Sequence, residues 1–329
     1  MRRLNRTQIA TAYCCLSLLF LGCGENSPVI DGDGDNPSHN WSNHTPFQGD
    51  YFADLLPITN RYEAEPTILG NLQLDEASGI SPSVKNEGMF WTHEDSGNTN
   101  FIFLINSNAE IVCRYRVTGT NNIDWEDIET VIDPETGKSY VYISDTGDNA
   151  QRRAVSAVYR VEEPVYTAAD FGQTIDLDRS MIQRYTFSYP DGSKDVESMF
   201  VDPSTKDIYF VTKRDVLSRI YIMPFPYQEG AGNQTYFVGE FGFREASAAS
   251  LNLQADKLIV RNRQNLFYWE RNTNEAIWEM MSRTPQRLPY QGEVQGEAVC
   301  FDKYDNYYTV SERAGLPQYP PLYKYTRKQ

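Results

Sequence analysis

Five short segments recur along the chain at intervals of about fifty residues, and each starts with an acidic or small residue that opens an apolar run. The intervals between their first residues are 50, 71, 50 and 50 residues. Each interval holds several short runs rich in Val, Ile, Tyr, Phe and Trp, bounded by Gly, Asn, Asp and Pro. This pattern is typical of a β-propeller, in which equivalent positions of successive blades meet around one axis. The segments start at Glu76, Glu126, Glu197, Ser247 and Glu297.

The interval lengths predict an all-β, five-bladed β-propeller over residues 61–329. The second interval is about twenty residues longer than the others, and we assign the surplus to a loop between Val161 and Asp178. A six-bladed ring is the alternative, and it requires that interval to hold two blades. In the fourth blade the outermost strand is assigned to Ala276–Met280. The fifth interval supplies three strands, so Pro66–Leu72 is expected to complete it and close the ring, which removes exposed sheet edges.

The N-terminal 22 residues have a basic start and an apolar run from about Ala10 to Leu21. This run is too short for a membrane-spanning helix, which needs about 20 residues, so it indicates a signal peptide over residues 1–22. Gly22 before Cys23 resembles the lipobox of bacterial lipoproteins, which predicts cleavage before Cys23 and lipidation of its thiol. Ordinary secretion is the alternative. Residues 23–60 are polar and are predicted to be a disordered tether.

These features predict a monomeric protein of the bacterial cell envelope, periplasmic or on the surface, attached to a membrane only through its lipid. The net charge is −15, and it becomes −18 when the three arginines of the signal peptide are removed. Such an acidic chain disfavours nucleic acid as a partner. The remaining cysteines, Cys113 and Cys300, are assigned to an outermost and an innermost strand of different blades, so no disulfide is expected.

The acids that open the innermost strands are expected to converge on the propeller axis. Carboxylates placed so closely need a cation, a shared proton or water. Calcium suits them because it takes oxygen ligands in a loose shell, and zinc is disfavoured because the chain has only three histidines. The alternative is that the acids cap strand amides and bridge blades through water, without an ion. The predicted calcium ligands are Glu126, Glu197, Ser247 and Glu297.

Charged residues follow the second strand of every predicted blade, on the face where the axial acids lie. Blades one and two contribute mainly acids, and blades three to five mainly bases. Such a rim can hold a metal against one wall and an anionic ligand against the other. The alternative is that strand ends are polar because they meet water. The candidate catalytic residues are Glu94, Asp95, Asp148, Lys213, Arg214 and Arg261.

Five motifs lie at or near the starts or ends of predicted strands: Glu76-Ala-Ser-Gly, Trp91-Thr-His-Glu-Asp-Ser-Gly97, Asp124-Trp-Glu-Asp-Ile128, Asp145-Thr-Gly-Asp-Asn149 and Asp195-Val-Glu-Ser198. Over most of residues 67–329 these motifs resemble bacterial secreted propeller lipoproteins of largely unassigned function. More distantly, the axial succession Glu, Glu, Ser, Glu is similar to the calcium ligands of the calcium-activated nucleotidases, or apyrases, whose first blade gives a serine that Ser78 matches. The SdiA-regulated propellers have a comparable acidic start to their blades.

The sequence thus predicts an envelope-anchored, calcium-binding propeller whose polar central pocket binds an anionic small molecule. In its catalytic form the protein is a metal-dependent hydrolase of a phosphate ester or nucleotide: calcium activates water, an acid of the rim serves as base, and the rim bases stabilise negative charge. The alternative is a non-catalytic binding or scaffold lipoprotein for an envelope protein or glycan, in which the ion serves stability alone.

Overall fold

The structure is a computed structural model that describes residues 39–328. The predicted signal peptide, Cys23 and most of the predicted tether lie outside the described residues. From Trp41 onward the chain forms one compact unit made almost entirely of β-strands. The main strands form five sheets, each with an antiparallel set of four, and the innermost strands of neighbouring sheets contact one another around a ring. The protein is therefore a five-bladed β-propeller, as the fifty-residue interval predicted.

Each blade uses consecutive strands from the axis outward, apart from the fifth, whose outermost strand comes from the N-terminal side. From innermost to outermost, blade 1 has Ala77–Pro82, Phe90–Glu94, Phe101–Ile105 and Ile111–Arg116; blade 2 has Trp125–Ile132, Ser139–Asp145, Ser156–Glu162 and Ile182–Ser188; blade 3 has Val196–Val201, Ile208–Thr212, Arg219–Met223 and Tyr236–Glu240; blade 4 has Ala246–Leu251, Lys257–Asn262, Leu266–Glu270 and Gln286–Arg287; blade 5 has Gly296–Phe301, Tyr307–Ser311, Pro321–Tyr325 and Thr67–Asn71.

The ring is closed as predicted. Thr67–Asn71 pairs antiparallel with Pro321–Tyr325 and completes blade 5. Because this strand precedes blade 1 in the chain, it joins the two ends of the repeat and leaves neither blade without its full set of strands.

The surplus of the second interval lies where the sequence placed it, between the third and fourth strands of blade 2. It contains the 3₁₀ turns Ala168–Asp170 and Arg179–Met181. Between them Thr174–Asp176 pairs in parallel with the outermost strand of blade 1. The long interval is therefore a loop that extends the neighbouring sheet, and it holds no sixth blade.

The prediction of a strand at Ala276–Met280 is wrong. Ile277–Ser282 is an α-helix, the only one among the described residues, and it buries Ile277, Met280 and Met281. Their spacing of three and four residues is helical, whereas a strand would bury alternate residues. Glu279 accepts a hydrogen bond from the backbone N of Ala276 at 2.8 Å and so caps the first turn. The outermost strand of blade 4 is the short Gln286–Arg287 instead.

Residues 41–60, which the sequence analysis assigned to the tether, lie along the outside of the propeller. They include the 3₁₀ turns Trp41–Asn43 and Ala53–Leu55. Phe47–Gln48 pairs in parallel with Tyr236–Glu240 of blade 3, and Trp41, Phe47 and Tyr51 pack against the core of blades 3 and 4. A Cβ on Gly239 would lie 2.6 Å from the backbone O of Phe47, so this approach requires glycine. One further short strand, Gly232–Gln234, extends blade 2.

The core lies between adjacent blades, where aromatic and branched aliphatic side chains fill the space between sheets. Cys113 and Cys300 are both buried and both free, on the strands predicted for them. Trp125 is fully buried between blades 1 and 2 and therefore belongs to the core. Among residues 39–328 no helix is long and apolar enough to cross a membrane.

Candidate functional site

A β-bulge recurs at the same place on the innermost strand of blades 2 to 5. A bulge leaves one residue unpaired and re-aims its side chain out of the normal strand alternation. All four bulge residues line one central pocket of about 690 Å³. The bulge is thus the local device that turns the repeated acids toward the axis. The four residues are Glu126, Glu197, Ser247 and Glu297.

Blade 1 departs from this pattern. Its bulge residue is Gly79, with a φ of 70°. A Cβ there would lie 2.9 Å from the backbone N of Ile128, so the approach of blade 2 leaves no room for a side chain. The predicted ligand Ser78 precedes the bulge, and its hydroxyl donates a 2.7 Å hydrogen bond to the backbone O of Glu126. Ser78 therefore joins two blades and does not occupy the position equivalent to the axial acids.

Ser247 also joins two blades, since its hydroxyl donates a 2.9 Å hydrogen bond to the backbone O of Gly296 in blade 5. Although Ser247 lines the pocket, its only hydroxyl proton is used between blades. Of the five ligands expected from the sequence, the two serines thus serve chiefly to join neighbouring innermost strands.

One half of the pocket, the paired half, neutralises its acids with bases of blade 3. The ammonium of Lys213 contacts the carboxylate of Glu197 and lies 3.6 Å from Oε1 of Glu297. Nε of Arg214 lies 2.6 Å from Oδ2 of the buried Asp195. Burial raises the pKa of Glu197, while the neighbouring Lys213 opposes this shift. Each of these acids therefore already has a cation beside it or nearby.

The other half, the unpaired half, consists of Asp95 and Glu126, which line the pocket, and of Asp124 beside them, all from blades 1 and 2. Oxygen atoms of the three carboxylates lie within 4.8 Å of one another. Glu126 is 4 % exposed, and no described residue donates a hydrogen bond to its carboxylate or forms an ion pair with it. Oδ1 of Asp124 is buried and accepts no hydrogen bond from the described residues. This half thus gathers three acids that no base of residues 39–328 contacts.

The pKa values of these acids reflect that environment. Burial, followed by the charges of Glu197, Asp95 and Asp124, raises the pKa of Glu126 well above its ordinary value. Burial likewise raises the pKa of Asp95 to about 6 and that of Asp124. Since a carboxylate is destabilised both by desolvation and by like charge, the unpaired half favours the arrival of a proton or a cation.

Gly147 permits the close approach of two of these acids. A Cβ at this position would lie 2.0 Å from Oε1 of Glu126 and 2.7 Å from Oδ2 of Asp124. Within the motif Asp145-Thr-Gly-Asp-Asn149, Gly147 therefore contributes by its missing side chain and Asn149 lines the pocket, whereas Asp148, a predicted catalytic residue, does not line it.

Asp127, next to Glu126, does not line the pocket and instead joins the innermost strands of several blades. It is fully buried, and its Oδ2 accepts hydrogen bonds from the backbone N of Met199 at 2.9 Å and of Ala249 at 3.0 Å. One carboxylate thus links the innermost strands of blades 2, 3 and 4. This role was not predicted from the sequence, in which the available signal was an acid at a position where blades 3 to 5 have only small residues.

Half of the predicted catalytic residues line the pocket, namely Asp95, Lys213 and Arg214. Arg261 does not, because its buried guanidinium donates to the backbone O of Ala298 at 2.7 Å and pairs with Glu293 at 3.1 Å. Oδ2 of Asp148 accepts a hydrogen bond from the backbone N of Arg153, and Oε1 of Glu94 accepts one from the backbone N of Asp75. These three side chains support loops and strands around the pocket.

Three other residues complete the rim. Arg244 is 69 % exposed and lies 3.7 Å from Glu245, and Arg263 forms no hydrogen bond or ion pair within residues 39–328. Glu312 lines the same pocket, and burial together with the charges of Glu297 and Asp95 raises its pKa to about 7. The sequence signal for these three pocket residues was their position, either just after a second strand or in a loop between blades.

No family model matches the chain, and no curated protein matches it. Similar solved structures include the pyrroloquinoline-quinone-bound aldose sugar dehydrogenase of Streptomyces coelicolor, at 10 % identity over 81 % of this chain and 100 % of that one, with a TM-score of 0.46. The Cps50 (Swd1) β-propeller domain of Myceliophteria thermophila has 9 % identity over 80 % and 100 %, with a TM-score of 0.42. A chain of the nidogen/laminin complex has 10 % identity over 71 % and 72 %, with a TM-score of 0.42. At this identity the similarity concerns the fold alone.

Proposed function

We propose that this protein is a calcium-binding β-propeller whose central pocket binds an anionic ligand. The observation that carries the proposal is the carboxylate of Glu126, which is buried, faces the pocket and has no partner among the described residues. Asp95 and Asp124 lie within reach of the same ion.

Calcium suits these three acids in size and chemistry. Its oxygen ligands lie at 2.3–2.6 Å, so two ligands of one ion are separated by no more than about 5 Å. The carboxylate oxygens of Asp95, Asp124 and Glu126 meet that limit, since all lie within 4.8 Å of one another. The proposed ligand set therefore keeps Glu126 from the sequence prediction and shifts from the axis toward blades 1 and 2, because Lys213 already contacts Glu197 and lies near Glu297.

The anionic ligand is proposed from the bases on the opposite side of the pocket. Arg214, Arg244 and Arg263 all line it. Guanidinium groups bind carboxylate and phosphate oxygens through paired hydrogen bonds, and a cation across the pocket would add a second point of attachment. The proposed ligand therefore carries an acid group, a carboxylate or a phosphate, whose oxygens contact both calcium and arginine.

The test is a titration of the purified protein with calcium chloride by isothermal titration calorimetry. We expect one site with a dissociation constant between about 10⁻⁶ and 10⁻³ M, the range of sensor and extracellular calcium sites. Glu126→Gln keeps the shape of the side chain and removes its charge, so it should weaken binding at least about 100-fold. Glu245→Gln, at an exposed acid of the same pocket, is the matched control and should bind as the wild type does. Absence of calcium binding by the folded wild type would refute the proposal.

Hydrolysis is the catalytic form of this proposal, and a non-catalytic binding protein is its rival. Incubation with p-nitrophenyl phosphate in calcium separates them. Turnover that disappears on chelation and in Glu126→Gln favours the hydrolase, whereas phosphate binding without turnover favours the binding protein. An envelope protein or glycan partner belongs to the second case.

Attachment to the cell envelope is proposed from the sequence, because Cys23 lies outside the described residues. Labelling of expressing bacteria with a palmitate analogue should mark the wild-type protein and leave Cys23→Ser unmarked. Equal labelling of both would exclude Cys23 as the site of lipidation.

A further inference from the structure

A groove of about 600 Å³ lies between blades 1 and 5, on the face opposite the central pocket. Most of its lining comes from the turns that join the first strand to the second in these two blades, residues 83–89 and 302–306. The central pocket is lined instead by residues near the start of first strands or after second strands. Because neighbouring strands of a blade are antiparallel, these two sets of residues lie at opposite ends of the sheets.

Aromatic side chains of both blades line this groove. The rings of Phe90 and Tyr308 pack across the blade interface with 4.7 Å between their centroids, and neither residue is more than 5 % exposed. Tyr304 also lines the groove and is 69 % exposed. Small-molecule sites typically have volumes of about 300–1,000 Å³ and mostly apolar walls with a few placed polar groups. The groove therefore suits a small molecule with a flat apolar body.

The blade 1 wall of the groove is held in place by Glu163 of blade 2. The carboxylate of Glu163 accepts hydrogen bonds from the hydroxyl of Ser83 at 2.6 Å and from the backbone N of Val84 at 3.0 Å. Nζ of Lys85 donates to the backbone O of Glu163 at 2.9 Å. This wall is therefore ordered before any ligand binds, which lowers the entropic cost of binding. The ammonium of Lys85 is already engaged.

The charges of the groove leave one cation without a counterion. Lys303 contacts Glu87, and the carboxylate of Asp302 accepts a 2.9 Å hydrogen bond from the hydroxyl of Tyr308. Lys324 also lines the groove, with its Nζ 5.8 Å from the centroid of the Tyr308 ring. Its ammonium forms no hydrogen bond or ion pair within residues 39–328. A carboxylate that enters the groove would meet this ammonium, whereas a cationic ligand would meet three lysines.

We propose that this groove is a binding site for a carboxylic acid with a flat apolar body. The carboxylate accepts a hydrogen bond from Lys324, and the apolar body packs on Phe90 and Tyr308. The Lys303–Glu87 pair is exposed on both sides, so its rearrangement around a ligand costs little. The groove and the central pocket share no lining residue, so this site stands or falls independently of the calcium proposal.

The experiment measures binding of naphthalene-2-carboxylate to the full-length protein by calorimetry near neutral pH, in chelator. The corresponding alcohol and primary amine, each with one CH₂ group on the same ring system, serve as neutral and cationic probes of similar size. We expect the carboxylate to bind at least about tenfold more tightly than either, because it alone pairs with Lys324. Equal binding of the carboxylate and the alcohol, or no binding of the carboxylate, would overturn the proposal.

Lys324→Met locates the site, because it keeps an unbranched apolar side chain and removes the charge. It should weaken binding of the carboxylate at least about tenfold, leave binding of the alcohol unchanged and leave the melting temperature unchanged. Lys324→Arg should retain most of the affinity. Lys328→Met is the matched control, at an exposed lysine that does not line the groove, and should bind as the wild type does. Unaltered binding of the carboxylate in folded Lys324→Met would refute the site.

Arg263→Ala is the control for the central pocket, whose bases also attract anions. We expect it to bind naphthalene-2-carboxylate as the wild type does. Loss of binding in Arg263→Ala, with binding retained in Lys324→Met, would place the carboxylate in the central pocket and overturn the groove proposal.

Discussion

The two halves of the central pocket begin from the same repeated feature and reach different electrostatic states. In both, a bulge turns a glutamate toward the axis. On the side of blade 3, Lys213 follows the second strand and its ammonium contacts Glu197. On the side of blade 2, Thr146 follows the second strand, and no base among the described residues contacts Glu126. The residue after the second strand therefore decides whether an axial acid is neutralised from within or needs an external cation.

The two halves therefore differ in role, since the paired half serves stability and the unpaired half serves binding. The paired half contributes to the folded state through buried ion pairs, which are sensitive to the loss of either partner. The unpaired half retains uncompensated acids, at a cost in stability that a bound cation reverses. Four changes test how far this comparison holds, from the largest expected effect to the smallest.

Lys213→Met should convert the paired half into an unpaired one. Removing one partner of a buried ion pair costs about 3–5 kcal/mol, and the Lys213 side chain is 19 % exposed, so we expect a loss of about 3 kcal/mol in the free energy of unfolding without calcium. Urea denaturation in chelator measures it. Added calcium should restore part of the loss, because the freed Glu197 and Glu297 then offer a second cation site.

The matched control is Lys138→Met, at a lysine that is 53 % exposed and lies 3.0 Å from Glu162. Surface pairs contribute about 0–1 kcal/mol, so its stability should stay close to that of the wild type. Equal losses of stability in both variants would mean that the buried ion pair of Lys213 contributes no more to the folded state than an exposed one.

Gly147→Ala should disturb the unpaired half alone. The added Cβ would lie 2.0 Å from Oε1 of Glu126, so the acid must move. We expect about tenfold weaker calcium binding in calorimetry and about 2 kcal/mol lower stability in urea denaturation, as for other overpacked sites. Gly232→Ala is the control, because no atom lies within 4 Å of its added Cβ. Undiminished calcium binding in Gly147→Ala would remove Glu126 from the ligand set.

The architecture was predictable because its signal is local and repeated. Strand-forming runs at a fixed interval identify the blades, and the surplus of the second interval lies in a loop, as expected. The helix Ile277–Ser282 was mistaken for a strand because the predicted run Ala276–Met280 has only five residues and so carries little periodicity, although the buried residues of the helix show the helical spacing.

The site was predictable only in part, because its electrostatics depend on contacts between distant segments. The repeat identified Glu126, but no spacing indicates that Lys213 reaches both Glu197 and Glu297. Asp127 illustrates the same limit: its partners lie 72 and 122 residues further along the chain. Ser78 was misplaced because the bulge of blade 1 falls one residue later, at Gly79.

Glu312 is influenced by an acid of each half of the pocket, and Glu312→Gln tests this influence through the pH dependence of stability. Burial and the charges of Glu297 and Asp95 raise the pKa of Glu312 to about 7, above the ordinary 4.5. A carboxyl with a raised folded pKa destabilises the protein at high pH, and stability returns as pH falls through 7 toward 4.5. The variant should therefore be more stable at about pH 8, by about 1 kcal/mol after allowance for solvent screening, and equal to the wild type near pH 4. Urea denaturation in chelator at both values checks this, and a difference that persists near pH 4 would contradict it.

Arg263→Ala tests whether the difference between paired and unpaired residues also holds for the bases of blade 4. Arg261 is buried and paired with Glu293, whereas Arg263 lines the pocket without a partner among the described residues. Removing an unpaired surface base should change stability by less than about 0.5 kcal/mol. It should weaken binding of inorganic phosphate to the calcium-loaded protein about fivefold, because one charge-assisted hydrogen bond is lost. Calorimetry with phosphate and urea denaturation measure the two effects. Unchanged phosphate binding in Arg263→Ala, with Arg244→Ala also unchanged, would remove these two exposed bases from the proposed ligand site and leave only Arg214.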